Sequence, residues 1–213
     1  MTCWHLLGIL QMSLTLTPEQ ALASIRAAGF VTFEDDEPYD LNIFGVRSAS
    51  KVPNIFNDTL GCVYRCDALH WHCETWPATT DPGLYWLEHP SNVNGTAILC
   101  APQQSRGVYA LDLHAGKYLA LCQRNGPVDV WRDDDRDALP EASSAVYSGY
   151  FGINIHRAGA DSTLVGKWSA GCQVFKQSAD FDRLMWLAQQ QQKYHPTWQS
   201  YTYTLLMESQ VKK

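Results

Sequence analysis

Hydrophobic and polar residues follow a helical period near the start of the chain and a strand period over most of the remainder. Residues 17–20, Thr-Pro-Glu-Gln, predict a helix start, because Thr17 can cap, proline suits the first turn and Gln20 completes a capping box. We expect this helix to reach Ala28, since Gly29 is a favourable stop. The chain therefore begins with one helix ahead of its sheet-forming part.

Alternation with a period of two predicts strands in the middle of the chain. Residues 108–113 and 118–122 are expected to form a hairpin around the turn at 114–117. A further turn at Asn125-Gly126 precedes residues 128–131, which also have strand character. This region is therefore expected to be an antiparallel sheet.

The last third of the chain predicts two strands and one helix. Residues 150–156 alternate well enough for a strand in which Asn154 and His156 share one face. Residues 178–191 carry an apolar stripe at helical spacing, and residues 201–207 have the composition of a closing strand. A helix is thus expected between two strands at this end.

No internal repeat, low-complexity segment or linker interrupts this order of elements. The sequence predicts an α+β, mainly β fold, with residues 1–30 forming a leader and helix and residues 31–213 forming a single domain. The length of 213 residues, with 46% apolar residues, suits one well-packed core.

Charge and hydropathy exclude several classes of partner. The net charge is −6 and no run of Lys or Arg occurs, which argues against nucleic-acid binding. No stretch approaches the roughly 18 apolar residues of a membrane span, so no membrane insertion is expected. The apolar run within residues 1–12 lacks a basic flank and a clear cleavage site, so we interpret it as a leader and expect synthesis in the cytoplasm without an export signal.

Two further clusters are candidates for metal binding. Cys62, Cys66, His70, His72 and Cys73 are soft ligands close in sequence, but their spacing matches no familiar zinc pattern, so a metal site, a Cys–Cys pair and ordinary packing all stay open. The acidic residues 133–135 lack the ordered spacing of a calcium loop, which favours a solvated turn.

The strongest chemical signal is a histidine followed 16 positions later by a cysteine, His156 and Cys172. A thiol becomes a good nucleophile as the thiolate, and an imidazole can generate it by taking the proton. The turn Ser169-Ala170-Gly171-Cys172 consists of small residues, so its backbone N–H groups can face a reacting oxygen. We expect the Cys172 sulfur to lie within about 4 Å of a ring nitrogen of His156, and Cys172 to be the most reactive thiol.

This pattern, a strand histidine, a loop and then Ser-x-Gly-Cys, resembles the catalytic signature of the L,D-transpeptidase (YkuD-like) family. The resemblance covers about residues 82–175 and implies a β-sandwich or barrel catalytic domain, here with an N-terminal helix and a helix after the catalytic cysteine. It implies that Cys172 attacks a peptidoglycan stem-peptide amide, with His156 as base and then acid. The N–H groups near Gly171 and Cys172 would bind the oxyanion, and Ser169 would shape the loop or contact substrate. A backbone carbonyl would orient the histidine, and no metal or other cofactor is implied.

The chain departs from the family pattern at two places: Arg157 stands where glycine commonly follows the histidine, and Val174 stands where arginine is common. These departures affect which acceptor, water or an amine, takes the acyl group from the enzyme. Hydrolysis of wall peptides and L,D-transpeptidase cross-linking therefore both stay open. A non-catalytic wall-binding or particle protein is the alternative from another class. With no export signal, we expect a phage or prophage endolysin that acts at the bacterial cell wall or periplasm; the oligomeric state is open.

The residues around the motif are candidates for substrate contacts. They are Asn154, Tyr150, Trp168, Arg157 and His114. Asn154 is included because it shares a predicted strand face with His156, whereas a histidine at a hairpin turn such as His114 is more commonly exposed.

Overall fold

The structure, a computed structural model, describes residues 13–50, 52–160 and 162–213. The leader proposed for the first residues lies largely outside this part of the chain. The helices are α1 (Pro18–Ala27), α2 (Leu84–Glu88) and α3 (Ser178–Tyr194), and a short 3-10 helix covers Glu208–Gln210. The strands are β1 (Asn42–Arg47), β2 (Asp58–Arg65), β3 (Trp71–Thr79), β4 (Thr96–Leu99), β5 (Gln103–His114), β6 (Tyr118–Gln123), β7 (Val128–Asp133), β8 (Tyr147–Gly149), β9 (Ile155–Arg157), β10 (Gln173–Phe175) and β11 (Tyr201–Met207).

Eight of these strands close into a barrel in the order β1-β11-β5-β6-β9-β10-β3-β2. The pairs β1–β11 and β9–β10 are parallel, and the other neighbours in the barrel are antiparallel. A separate three-stranded sheet has the order β4-β7-β8. The α+β, mainly β class is therefore confirmed. The barrel also includes β1, β2 and β3, which come from a part of the chain where no family resemblance was found.

Most of the elements predicted from the sequence are present. Helix α1 begins at Pro18 with Thr17 as its cap and Gln20 closing the capping box, and Gly29 follows with φ +84°. The β5–β6 hairpin turns after His114, and β11 has the predicted bounds. The C-terminal helix α3 starts where predicted and extends three residues further than expected.

The strand predicted over residues 150–156 is wrong for its first part, because only Ile155–Arg157 form a strand there. The side-chain oxygen of Gln123 accepts the backbone N–H groups of Phe151, Gly152 and Ile153, at 3.1, 2.9 and 3.2 Å. Gly152 also has φ +72°, which lies outside the strand region. The chain therefore curls around Gln123 before it enters β9.

The two longer helices cover different sides of the barrel. Helix α1 buries Leu22 and Ile25 against Phe44 and Leu206 of β1 and β11. Helix α3 brings Phe181 against the core, where its ring centroid lies 5.9 Å from those of Phe175 and Tyr118. Within the described residues, none of the helices is long and apolar enough to cross a membrane.

Candidate active site

The turn that carries Cys172 is held by hydrogen bonds within itself. The Ser169 hydroxyl donates to the Cys172 carbonyl at 2.8 Å and accepts the N–H of Gly171 at 3.2 Å. Gly171 has φ +118°, and a Cβ there would collide with the carbonyl oxygen of Ala97. The turn therefore requires glycine at this position, and the fully buried Ser169 shapes the loop.

Gln173, the residue after the cysteine, anchors this turn inside the barrel. Its side-chain oxygen accepts the hydroxyl of Tyr203 at 2.9 Å, and its amide nitrogen donates to the Gly171 carbonyl at 3.2 Å. Strand β10 lies parallel to β9, with Gln173 opposite Ile155 and Val174 opposite His156. This register brings Cys172 to the level of Asn154, just ahead of His156.

The Cys172 sulfur contacts the backbone of residues 152–154. The Asn154 N–H donates to the sulfur at 3.4 Å, and the thiol can donate to the Gly152 carbonyl at 3.5 Å. Although the residue as a whole is only partly buried, its sulfur is desolvated. Burial raises the pKa of the Cys172 thiol to about 11, against the opposing effect of the Asn154 N–H. The thiol is therefore protonated at neutral pH.

His156 is buried, with 3% of its surface exposed, and is oriented by the backbone. Its Nδ1 lies 3.0 Å from the Arg157 carbonyl and 3.4 Å from the Tyr118 hydroxyl. An Nδ1–H directed at the carbonyl leaves Nε2 as the proton acceptor. Burial first, and then His114, lower the pKa of His156 to about 3. The ring is therefore neutral at physiological pH and can accept a proton, but a pKa this low also makes it a weak base.

His114 stacks on His156 rather than pointing into solvent. The ring centroids are 4.0 Å apart with an angle of 18° between the planes. The Nδ1 of His114 lies 3.1 Å from the side-chain amide of Asn154, whose oxygen accepts the Gln123 N–H at 2.9 Å. Burial lowers the pKa of His114, followed by the effect of Arg124 and Lys117. The two imidazoles thus stack face to face, and His114 also contacts Asn154.

Among the described residues, no hydrogen bond joins Cys172 to either ring nitrogen of His156. The sulfur is instead hydrogen-bonded to the backbone of Gly152 and Asn154. The two side chains are connected through Asn154, which contacts the sulfur with its N–H and His114 with its side chain.

The other predicted contact residues lie at different distances from this group. The Arg157 guanidinium lies 4.8 Å from the centroid of the Tyr118 ring and 3.3 Å from the Ser178 hydroxyl, beside His156. Trp168 is 46% exposed and lies close to Gly159, and Tyr150 is 65% exposed with no described contact to the histidines. Val174, in the position where the family commonly has arginine, is completely buried and supplies no charge.

The donors for an oxyanion are fewer than the sequence predicts. The Gly171 N–H is already bonded to Ser169, as described above. Within the described part of the chain, the Cys172 N–H has no hydrogen-bond acceptor. This N–H is therefore the one donor of the proposed pair that is not already hydrogen-bonded within the described residues.

The cysteine and histidine cluster does not form one site. Cys62 faces the barrel interior and Cys73 belongs to the cluster beneath α1, because they lie on opposite faces of the β2–β3 pair. All six cysteines in the described residues are free thiols. No group of three or more metal-ligating side chains is placed to hold an ion in residues 13–50, 52–160 and 162–213.

The acidic loop at residues 133–135 differs from the fully solvated turn that the sequence favours, since Asp133 is buried and burial raises its pKa to about 6.

Sequence reasoning missed two residues of the site, Tyr118 and Gln123. Tyr118 pairs with His114 across the hairpin, so the predicted hairpin register could have identified it. Gln123 organises residues 151–153 through contacts between segments distant in sequence, for which the local pattern carries no signal.

Comparison of the chain with protein-family models, with curated proteins and with solved structures gave no match.

Proposed function

We propose that this protein is a cysteine peptidase that hydrolyses stem-peptide or cross-link amide bonds of bacterial peptidoglycan through an acyl-enzyme on Cys172. One observation carries the proposal: a continuous set of contacts links the Cys172 sulfur through Asn154 to His114, which stacks on His156. His156 is neutral and backbone-oriented, as a general base must be. The choice of peptidoglycan rests on the resemblance of the motif to L,D-transpeptidases.

The first half of the reaction forms the acyl-enzyme. Substrate binding turns the Cys172 sulfur away from the Gly152 carbonyl and toward Nε2 of His156, which takes the thiol proton. The sulfur then attacks the carbonyl carbon of the scissile amide, and the resulting oxyanion accepts the Cys172 N–H. The His156 imidazolium donates its proton to the leaving amine, and the C–N bond breaks to give a thioester.

The second half releases the product. His156, neutral again, takes a proton from water, and the hydroxide oxygen attacks the thioester carbonyl. The C–S bond breaks, the acid product leaves, and the thiolate recovers its proton from His156. Because the resting thiol has a raised pKa, proton transfer and attack are coupled, and no preformed ion pair is required.

The biological setting is proposed to be that of a phage or prophage endolysin that is made in the cytoplasm and acts at the cell wall or periplasm. This part rests on the proposed substrate, since peptidoglycan lies at the bacterial cell wall.

A transpeptidase would use the same first half and pass the acyl group to an amine instead of water. Val174 bears on this choice, because its position contributes no cation to hold an acceptor carboxylate. Hydrolysis is favoured for this reason.

A non-catalytic wall-binding protein is the second candidate. It is favoured by the missing hydrogen bond between Cys172 and His156 and by the raised pKa of the thiol. In that case Cys172 would be a packed side chain beside Val165 and Val174, with which it shares a small apolar cluster.

The test is incubation of the purified protein with defined muropeptides, with and without an added acceptor peptide, and identification of the products by mass spectrometry. Released acids or shortened stems support hydrolysis, and new cross-links would replace that proposal with transfer. Binding without any product, at several pH values, would support the non-catalytic alternative.

A further inference from the structure

A cysteine and a histidine lie in direct contact outside the Cys172 site, at the turn end of the β2–β3 hairpin. The Cys66 sulfur is 3.1 Å from Nε2 of His72. Cys66 directly follows the last residue of β2, and His72 is the second residue of β3. The Tyr64 ring stacks on the imidazole, with centroids 5.2 Å apart and an angle of 19°. The imidazole is therefore fixed beside the sulfur.

The groups around the pair hold it without blocking the sulfur. The Asp67 carboxylate lies 2.9 Å from a ring nitrogen of His70, and its other oxygen can accept the Cys66 thiol at 3.8 Å. The Tyr64 hydroxyl donates to Glu74, which pairs with Arg183 of α3. Cys66 is partly exposed, and the following turn residues, Asp67 to His70, are exposed.

The other described thiols lack this arrangement. Burial raises the pKa of Cys73 to about 12 and that of Cys100 to about 11, and it also raises the pKa of Cys62, Cys122 and Cys172. In residues 13–50, 52–160 and 162–213, Cys66 is the one thiol whose sulfur is in hydrogen-bond contact with an imidazole.

The pair is also far from the proposed catalytic turn. Val174 of β10 pairs with Thr79, at the opposite end of β3 from His72. The seven residue steps from His72 to Thr79 span roughly 23 Å in a strand. Chemistry at Cys66 is therefore spatially separate from chemistry at Cys172.

We propose that Cys66 is a modification site that undergoes thiol–disulfide exchange with small disulfides, with His72 as its base. His72 Nε2 takes the thiol proton, and the Cys66 sulfur attacks one sulfur of the disulfide R–S–S–R. The S–S bond of the reagent breaks, a mixed disulfide Cys66–S–S–R forms, and R–S⁻ leaves and takes up a proton while the His72 imidazolium releases one to solvent. No net oxidant is needed beyond the disulfide itself, and excess small thiol reverses the step.

The experiment exposes the folded protein to glutathione disulfide at neutral pH and maps modified cysteines against time by mass spectrometry. An unstructured peptide of residues 64–72, in which Cys66 is the one cysteine, serves as the reference for a thiol outside the fold. We expect Cys66 to be the first described thiol modified, faster than in the peptide. Equal rates in protein and peptide, or a protected Cys66, would overturn the proposal without any variant.

Two matched variants assign the role of the imidazole. His72→Phe keeps an aromatic ring against Tyr64 but removes Nε2, and should slow Cys66 modification on the order of tenfold or more, as expected for loss of a positioned base. His70→Phe makes the same change two residues away, where the ring contacts Asp67 and not the sulfur, and should stay within about twofold. Equal slowing in both variants, with unchanged melting temperatures, would show that turn structure and not His72 governs the rate. Because cleavage of muropeptides is read separately, either proposal can fail while the other stands.

Discussion

The two cysteine–histidine regions of the molecule combine the same residue types in opposite ways. At the hairpin end, the Cys66 sulfur lies 3.1 Å from an imidazole and is partly open to solvent. In the turn before β10, the Cys172 sulfur is desolvated, bonded to backbone and connected through Asn154 to two stacked imidazoles. The first arrangement favours reaction with any small reagent, and the second favours a substrate that brings its own binding energy to realign the thiol. The two regions are therefore expected to differ in which reagents and substrates they react with.

The largest expected difference between the two regions is in muropeptide cleavage. Cys172→Ala should lower the rate by on the order of a thousandfold or more, as is usual when a nucleophile is lost. Cys66→Ala is the matched control and should stay within about twofold, because that sulfur takes no part in the reaction. Initial rates, with melting curves to verify folding, measure this contrast. Loss of activity in Cys66→Ala alone would identify Cys66, and not Cys172, as the nucleophile.

The next effect concerns stability of the turn that carries Cys172. Gly171→Ala should lower the free energy of unfolding by about 2–4 kcal/mol, since it adds backbone strain and a clash with the Ala97 carbonyl. Gly116→Ala is the control: its φ is also positive, +70°, but a Cβ there meets nothing, so the cost should be about 1 kcal/mol. Denaturant unfolding measures both, and equal costs would mean that the turn is not tightly held.

A smaller effect distinguishes the two contacts that His114 makes, its stacking on His156 and its hydrogen bond with Asn154. His114→Ala removes the ring that covers His156, so hydration should raise the pKa of His156 and move the acidic limb of kcat to higher pH. His114→Phe keeps the cover and loses the hydrogen bond to Asn154, so its limb should stay low, with kcat reduced about tenfold or less. The pH dependence of kcat distinguishes them. Identical pH profiles for both variants would show that the His114 ring does not control the pKa of His156.

The smallest expected effect is in the wild-type protein, whose kcat should change little with pH. Because the pKa of His156 is lowered to about 3, the base stays neutral as the pH falls through the range where an ordinary histidine is protonated. The kcat should therefore vary by no more than about twofold between about pH 5 and pH 8. A half-maximal rate near pH 6.5, with the fold intact, would mean that the catalytic base is more exposed than His156.

Local sequence patterns predicted the helices and strands whose ends carry residues typical of helix caps or hairpin turns. The capping box at Thr17 and Gln20 fixed the start of α1, and the alternation on either side of His114 fixed the β5–β6 hairpin. Strand β1 gave no such pattern, because all six of its residues are buried between the barrel core and α1. Alternation disappears when both faces of a strand are covered.

The candidate site was predictable in its residues but not in its contacts. Asn154 and His156 were expected on one face, and both reach His114 on that face. The role of His114 depends on the barrel, which brings β6 beside β9, with Leu121 opposite Ile155. The failed strand at residues 150–154 has the same origin, since the Gln123 side chain replaces the strand partners there. Contacts between segments distant in sequence leave no trace in local periodicity.

The most direct measurement is capture of the acyl-enzyme on Cys172 by hydroxylamine. Wild-type protein and Cys172→Ala are incubated with defined muropeptides in the presence of hydroxylamine, which attacks a thioester in competition with water. We predict that the wild-type protein yields the hydroxamate of the acyl fragment alongside the hydrolysis product, and that Cys172→Ala yields neither. Hydrolysis without hydroxamate, or the same hydroxamate from Cys172→Ala, would contradict catalysis through an acyl-enzyme on Cys172.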